Sequence, residues 1–142
     1  GLLNEEPKDE LLIKELLEMM RTSRADYTNT FRALTNGKPE ETALFGAEAF
    51  ASWHERWQAR LGRQQEPKEA VLQLMRRSNP AVIPRNHRVE EALEAAVEQG
   101  DDRPMRRLLD ALAAPYAHTP EQAEYCTLPE PTDRPYRTYC GT

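Results

Sequence analysis

Asn79-Pro80-Ala81-Val82-Ile83-Pro84-Arg85-Asn86-His87-Arg88 is the stretch whose reading decides the fold. Two prolines four residues apart forbid a regular helix there, because each lacks an N–H and restricts the residue before it. Val82 and Ile83 between them are apolar enough to be buried. The stretch therefore predicts a shaped, ordered joint between helices.

Outward from the joint, apolar spacing at steps of three and four predicts helices on both sides. On the amino-terminal side, Pro7 to Met20 reads as a helix with Leu12, Leu16 and Met19 in one stripe and Ile13, Leu17 and Met20 in a neighbouring one. Pro7 suits a first turn, and Asp9 and Glu10 suit the positive end of the helix dipole. That double stripe is wide enough to need cover from more than one side. Asp26 has the character of an N-cap, accepting from the N–H groups of Thr28 and Asn29. Tyr27, Phe31 and Leu34 follow it, and Asn36-Gly37 ends the element. Lys38 to Gly46 reads as a short helical turn or loop. Phe50, Trp53, Trp57 and Leu61 mark a strong helix over 47–61, and Pro67 restarts helix with Val71, Leu72, Leu74 and Met75 inward until Asn79.

Beyond the joint, Val89, Leu93 and Val97 mark a helix closed by Gly100. Asp101 or Asp102 caps the next, which carries Met105, Leu108, Leu109 and Leu112 on its buried face. Prolines at 115, 120, 129, 131 and 135 then predict an extended tail, strapped onto a surface by Tyr116, Tyr125, Tyr136 and Tyr139. The expectation is an all-α fold: a bundle-like array of about six helices over residues 1–114, with an extended Pro-rich tail over 115–142. No fixed repeat period appears, which argues against a tetratricopeptide-type array.

Composition sets the bounds. The chain has 142 residues, 39% hydrophobic and 30% charged, enough for one moderate core. Mean hydropathy is −0.81 and no apolar run approaches the ~20 residues that span a bilayer, so no membrane partner is expected. Residues 1–6 carry no signal-peptide pattern and no initiator Met, which reads as a fragment. Two cysteines point to a reducing, cytoplasmic setting. The net charge of −5 argues against a nucleic-acid partner.

Candidate chemistry is sparse. Arg76, Arg77, Arg85 and Arg88 form a basic run that suits phosphate or an acidic surface. The structural alternative has Arg76 and Arg77 at a helix C-terminus and Arg85 and Arg88 paired with Glu90 and Glu91, and it is preferred. Asn79 and Asn86 read as turn and cap residues. His54, His87 and His118 lack a metal-ligand spacing. No nucleophile with a base, phosphate loop or kinase-type signature is present, so no catalytic, cofactor-binding or metal-binding residue is expected. Cys140 is the one reactive-looking side chain. Cys126, 14 positions upstream, is within sequence reach of it but reads as a thiol without a role.

The run from Met75 to Leu93, centred on Asn79, Pro80, Pro84, Arg85 and Asn86, resembles the C-terminal region of the selenoprotein O family. So do the Asp26-Tyr27-Thr28 to Phe31-Arg32 segment, Tyr116 with its Pro-rich sequel, and the terminal Tyr136-Arg137-Thr138-Tyr139-Cys140-Gly141-Thr142. The resemblance implies a parent that is kinase-like, long classed as a pseudokinase, and that transfers AMP from ATP to protein hydroxyls. ATP and Mg or Mn would be held by the kinase-like region, which becomes a partner of these helices within the same polypeptide; protein substrates would be the other partners. Selenocysteine-containing members end in Cys-x-x-selenocysteine. Here the matching Cys140 stands alone, which leaves a redox role, including a disulfide to the catalytic region, as the expectation to test. The rival reading is a free-standing helical interaction module without an enzymatic parent.

Overall fold

The computed structural model describes residues 1–130. Among them are six α-helices, two 3-10 segments and no strand. The helices are α1 (Asp9–Thr22), α2 (Tyr27–Thr35), α3 (Glu48–Gly62), α4 (Lys68–Ser78), α5 (Asn86–Glu98) and α6 (Arg103–Ala113). The 3-10 segments are Pro39–Glu41 and Pro120–Cys126.

The first four helices surround an aromatic core. Phe50, Trp53 and Trp57 stack along α3 with successive ring centroids 5.7 and 5.6 Å apart. Leu12, Leu16 and Met20 of α1, Leu34 of α2, and Val71 and Met75 of α4 close around them. The Trp53 Nε1–H donates to the Leu12 carbonyl at 2.8 Å, so the indole is buried with its polar edge satisfied. A second anchor is ionic. Arg60 donates from Nε to Asp9 Oδ1 at 2.7 Å and from Nη2 to Asp9 Oδ2 at 2.9 Å, and also to the Asn4 carbonyl. Both side chains are buried, and the pair ties the start of α1 to the end of α3.

The expected double stripe on α1 divides in the structure. Leu12, Leu16 and Met20 are buried, whereas Ile13 and Leu17 stay 50% and 40% exposed. Nothing among the described residues covers them fully.

Past the joint, α5 packs chiefly on α6, and α6 on the second 3-10 segment. This half has a small core: Ala92, Leu108 and Cys126 are buried, with Ala81 and Val82 of the joint. The expectation for α6 is corrected in part, since Leu108 is buried but Leu109 is 57% exposed. Helix ends follow their sequence signals. Gly37 and Gly100 adopt φ of +67° and +66°, where a side chain is strained. At the start of α6 the Asp101 carboxylate takes the Arg103 N–H and guanidinium, while Asp102 occupies the cap position. The segment after Pro115 is not extended throughout. Residues 120–126 coil into a 3-10 turn because a Thr119/Gln122 capping box starts it.

A candidate functional site at the proline joint

The joint is held by bonds to both halves of the molecule. Asn79 ends α4 and donates from Nδ2 to Thr35 Oγ1 at 2.9 Å, fixing it to the end of α2. Its carbonyl accepts from His118 Nε2 at 3.0 Å, which places the proton of that imidazole on Nε2. Burial pushes the His118 imidazole below its usual range, partly offset by that bond. The Ala81 N–H donates to the Pro115 carbonyl at 2.7 Å. Val82, at 1% exposure, is the most enclosed apolar residue of the joint. Pro80 is half-buried and Pro84 exposed.

Arg85 is the centre of the arrangement. Its Nη1 and Nη2 donate to Asp26 Oδ2 and Oδ1 at 2.6 and 2.8 Å, a fork-on-fork pair between elements 59 positions apart. The same Asp26 Oδ1 accepts the Asn29 N–H at 2.8 Å and caps α2. The Arg85 guanidinium holds the Asp26 carboxyl below the usual carboxylate range, and the carboxylate in turn raises Arg85.

Cys126 closes the far side. Its Sγ–H donates to the Ala81 carbonyl at 3.0 Å and to the Gln122 carbonyl at 3.2 Å, while its own carbonyl accepts from Asn29 Nδ2 at 2.8 Å. Burial pushes this thiol up. Cys126 is thus a packed, hydrogen-bonded group that draws the 3-10 segment onto the joint. Its structural role has no signature in the sequence, because it depends on contacts across 45 and 97 positions.

The basic run resolves into separate tasks. Arg76 and Arg77 lie exposed in the last turn of α4. Arg88 donates to Glu91 at 2.9 Å, to the Thr127 hydroxyl at 2.8 Å and to the Glu124 carbonyl at 3.1 Å. The pairing expected between Arg88 and Glu91 is present. That expected for Arg85 is corrected: its partner is Asp26, because the joint turns the guanidinium back toward α2 rather than along α5. Asn79 likewise bonds across the fold to Thr35 rather than within its own turn. Asn86 is the exposed first residue of α5, whose N-cap is Arg85.

No group of three or more His, Cys, Asp or Glu placed to hold a metal occurs among the described residues. His54 lies between the rings of Phe50 and Trp57, at 6.0 and 5.5 Å. No described helix is long and apolar enough to cross a membrane. Cys140, the redox candidate, lies outside the described residues.

Fold and joint together define a module that is all-helical among the described residues, in which the Arg60–Asp9 and Arg85–Asp26 pairs hold separate elements to one another. The family model for the protein adenylyltransferase SelO matches residues 1–113, and the chain belongs to that family. It is 65% identical over all 142 residues to the protein nucleotidyltransferase YdiU of Alkaliphilus metalliredigens. It is 64% identical over the same length to that of Brevibacillus brevis and 63% to that of Halalkalibacterium halodurans. The chain spans about 29% of the length of each of these relatives.

Proposed function

We propose that this chain is the C-terminal, non-catalytic helical portion of a bacterial, cytoplasmic protein adenylyltransferase. In this reading the remainder of the polypeptide is a kinase-like region that binds ATP with Mg or Mn and moves AMP onto hydroxyl side chains of protein substrates. No step of the transfer is assigned to the described residues. Their task is support: α1–α4 form a preassembled body, and the exposed Ile13 and Leu17 offer it to the catalytic region.

The observation that carries this reading is identity of 65% along the entire chain to a protein named a nucleotidyltransferase, of which it spans 29%. A titration of ATP with Mg or Mn tests it. The 142-residue chain should show no binding, while the full-length enzyme binds ATP and labels protein with AMP. Binding or transfer by the 142 residues alone overturns the non-catalytic role.

The tail thiol adds a regulatory element to the proposal. AMP transfer by the full-length enzyme should differ between oxidising and reducing conditions, and Cys140→Ser should abolish the difference. Identical redox responses of the two enzymes would remove redox control from the account.

A further inference from the structure

An apolar cleft of about 360 Å³ opens between α1, α2 and α4. Ile13 and Leu17 form one wall, Phe31 and Leu34 another, and Leu74 and Met75 a third. Its size is near the lower end of ligand cavities, which run to about 300–1,000 Å³. Polar groups that would orient a small molecule are few, with Ser78 and Asn79 at one end. Such a lining suits apolar side chains delivered by a polypeptide.

Gly1 and Leu2 also line this cleft. They are not loosely placed. Gln64 clamps the segment at two points, donating from Nε2 to the Gly1 carbonyl at 3.1 Å and accepting the Leu3 N–H at Oε1 at 2.7 Å. Asn4 continues the clamp, donating to Glu66 at 2.7 Å. Gly1 lies so close to α4 that a Cβ there would meet Met75 Sδ at 2.9 Å and Val71 Cγ1 at 3.0 Å.

A terminal ammonium is poorly suited to that place. Burial lowers its pKa from the ordinary 8.0, since apolar walls disfavour the charged form. An uncharged peptide bond to a preceding residue would avoid the cost of burying a charge there. The relatives are longer than this chain, the matched 142 residues being 29% of their length, and in the C-terminal reading proposed above the remainder precedes Gly1.

We propose that this cleft seats the stretch of the full-length polypeptide that directly precedes Gly1, whose apolar side chains cover Ile13 and Leu17. The inference rests on the reading of the chain as part of a longer enzyme. It deepens that reading by assigning the α1 face to the adjacent segment rather than to a distant surface of the catalytic region.

Photo-crosslinking in the full-length enzyme tests it. A benzoylphenylalanine replaces Leu17 in one preparation and Ile13 in a second, so that a folding defect at one position does not decide the outcome. After irradiation and digestion, the crosslinked peptides are identified by mass. The expected partner lies within about ten residues before Gly1, since an extended chain covers roughly 3.3 Å per residue. An adduct to a more distant part of the same polypeptide overturns the inference and leaves the proposed function standing. An adduct joining two copies, or an intact probe with no adduct at either position, overturns it as well. ATP binding by the same preparations reports separately on the proposed function.

Discussion

Arg85 and Asp26 act as one unit, and so do Arg60 and Asp9. Each arginine presents two N–H groups to two carboxylate oxygens, and each carboxylate also accepts a backbone N–H, from Asn29 in one case and Glu6 in the other. Removing one member of such a pair strands its partner, which costs more than the pair itself contributes. Arg60→Met should therefore lower stability by about 3 kcal/mol in denaturant titrations. Arg85→Met, at a site with more solvent access, should cost about 2 kcal/mol. Asp26→Asn keeps a capping side chain for α2 but loses the fork, so its coupling to Arg85→Met in a double-mutant cycle should be about 1–2 kcal/mol. A coupling near zero would mean that Asp26 serves only as a cap.

The same carboxylates set the response to acid. Their arginine partners hold Asp9 and Asp26 below the ordinary value of 3.8 in the folded chain. The stabilisation is then complete above that unfolded value and is lost as pH falls through the lower folded values. Unfolding free energy should be level near neutrality and fall below about pH 4. In Asp9→Asn the neutral-pH stability should be reduced and the acid decline shallower, as a pH series of urea titrations would reveal.

At the scale of elements, α3 organises the first half. Its three stacked aromatics contact α1 and the helices around it, and Trp53 adds the bond to the Leu12 carbonyl. Trp53→Ala should destabilise by about 3–5 kcal/mol, the range for truncating a buried aromatic. The spacing of Phe50, Trp53 and Trp57 made this helix plain from the sequence, because a single face of one helix carries the signal. The 3-10 segment was not legible in the same way. Its prolines indicate an interrupted backbone, but its position is set by Gln122, which donates to the Ala111 and Ala114 carbonyls at the end of α6, and by Cys126 under the joint. Such anchors have no period to read. In a Cys140→Ser background, Cys126 should react with a thiol reagent only as fast as the native chain opens. Rapid labelling of the folded protein would show that the segment is not held down.

At the scale of the molecule, the described residues form two helical halves with unequal cores. The half built on α1–α4 encloses stacked tryptophans, whereas α5, α6 and the 3-10 segment enclose little more than Ala92, Leu108 and Cys126. Leu93, Val97 and Leu109 remain 48%, 82% and 57% exposed on the smaller half. Polar bonds that cross between the halves include Arg85 to Asp26, His118 to the Asn79 carbonyl and Asn29 to Cys126. Amide exchange should accordingly be faster in α5 and α6 than in α1 and α3, and Arg85→Met should widen the gap. Equal protection across both halves would show that they open as one unit.

Local physics in the sequence determined the helices, their stops at Gly37 and Gly100, the cap at Asp26 and the break between Asn79 and Arg85. Each of these depends on residues within one or two turns of one another. Apolar period, missing proline donors and capping oxygens act over that range. Tertiary structure alone decided that Arg85 meets Asp26 at the start of α2, that Cys126 is a buried anchor, and that Ile13 and Leu17 stay open while Leu12 and Leu16 are covered. These outcomes turn on which surfaces the joint brings together, and on apolar area and charges that find partners only once distant segments have met.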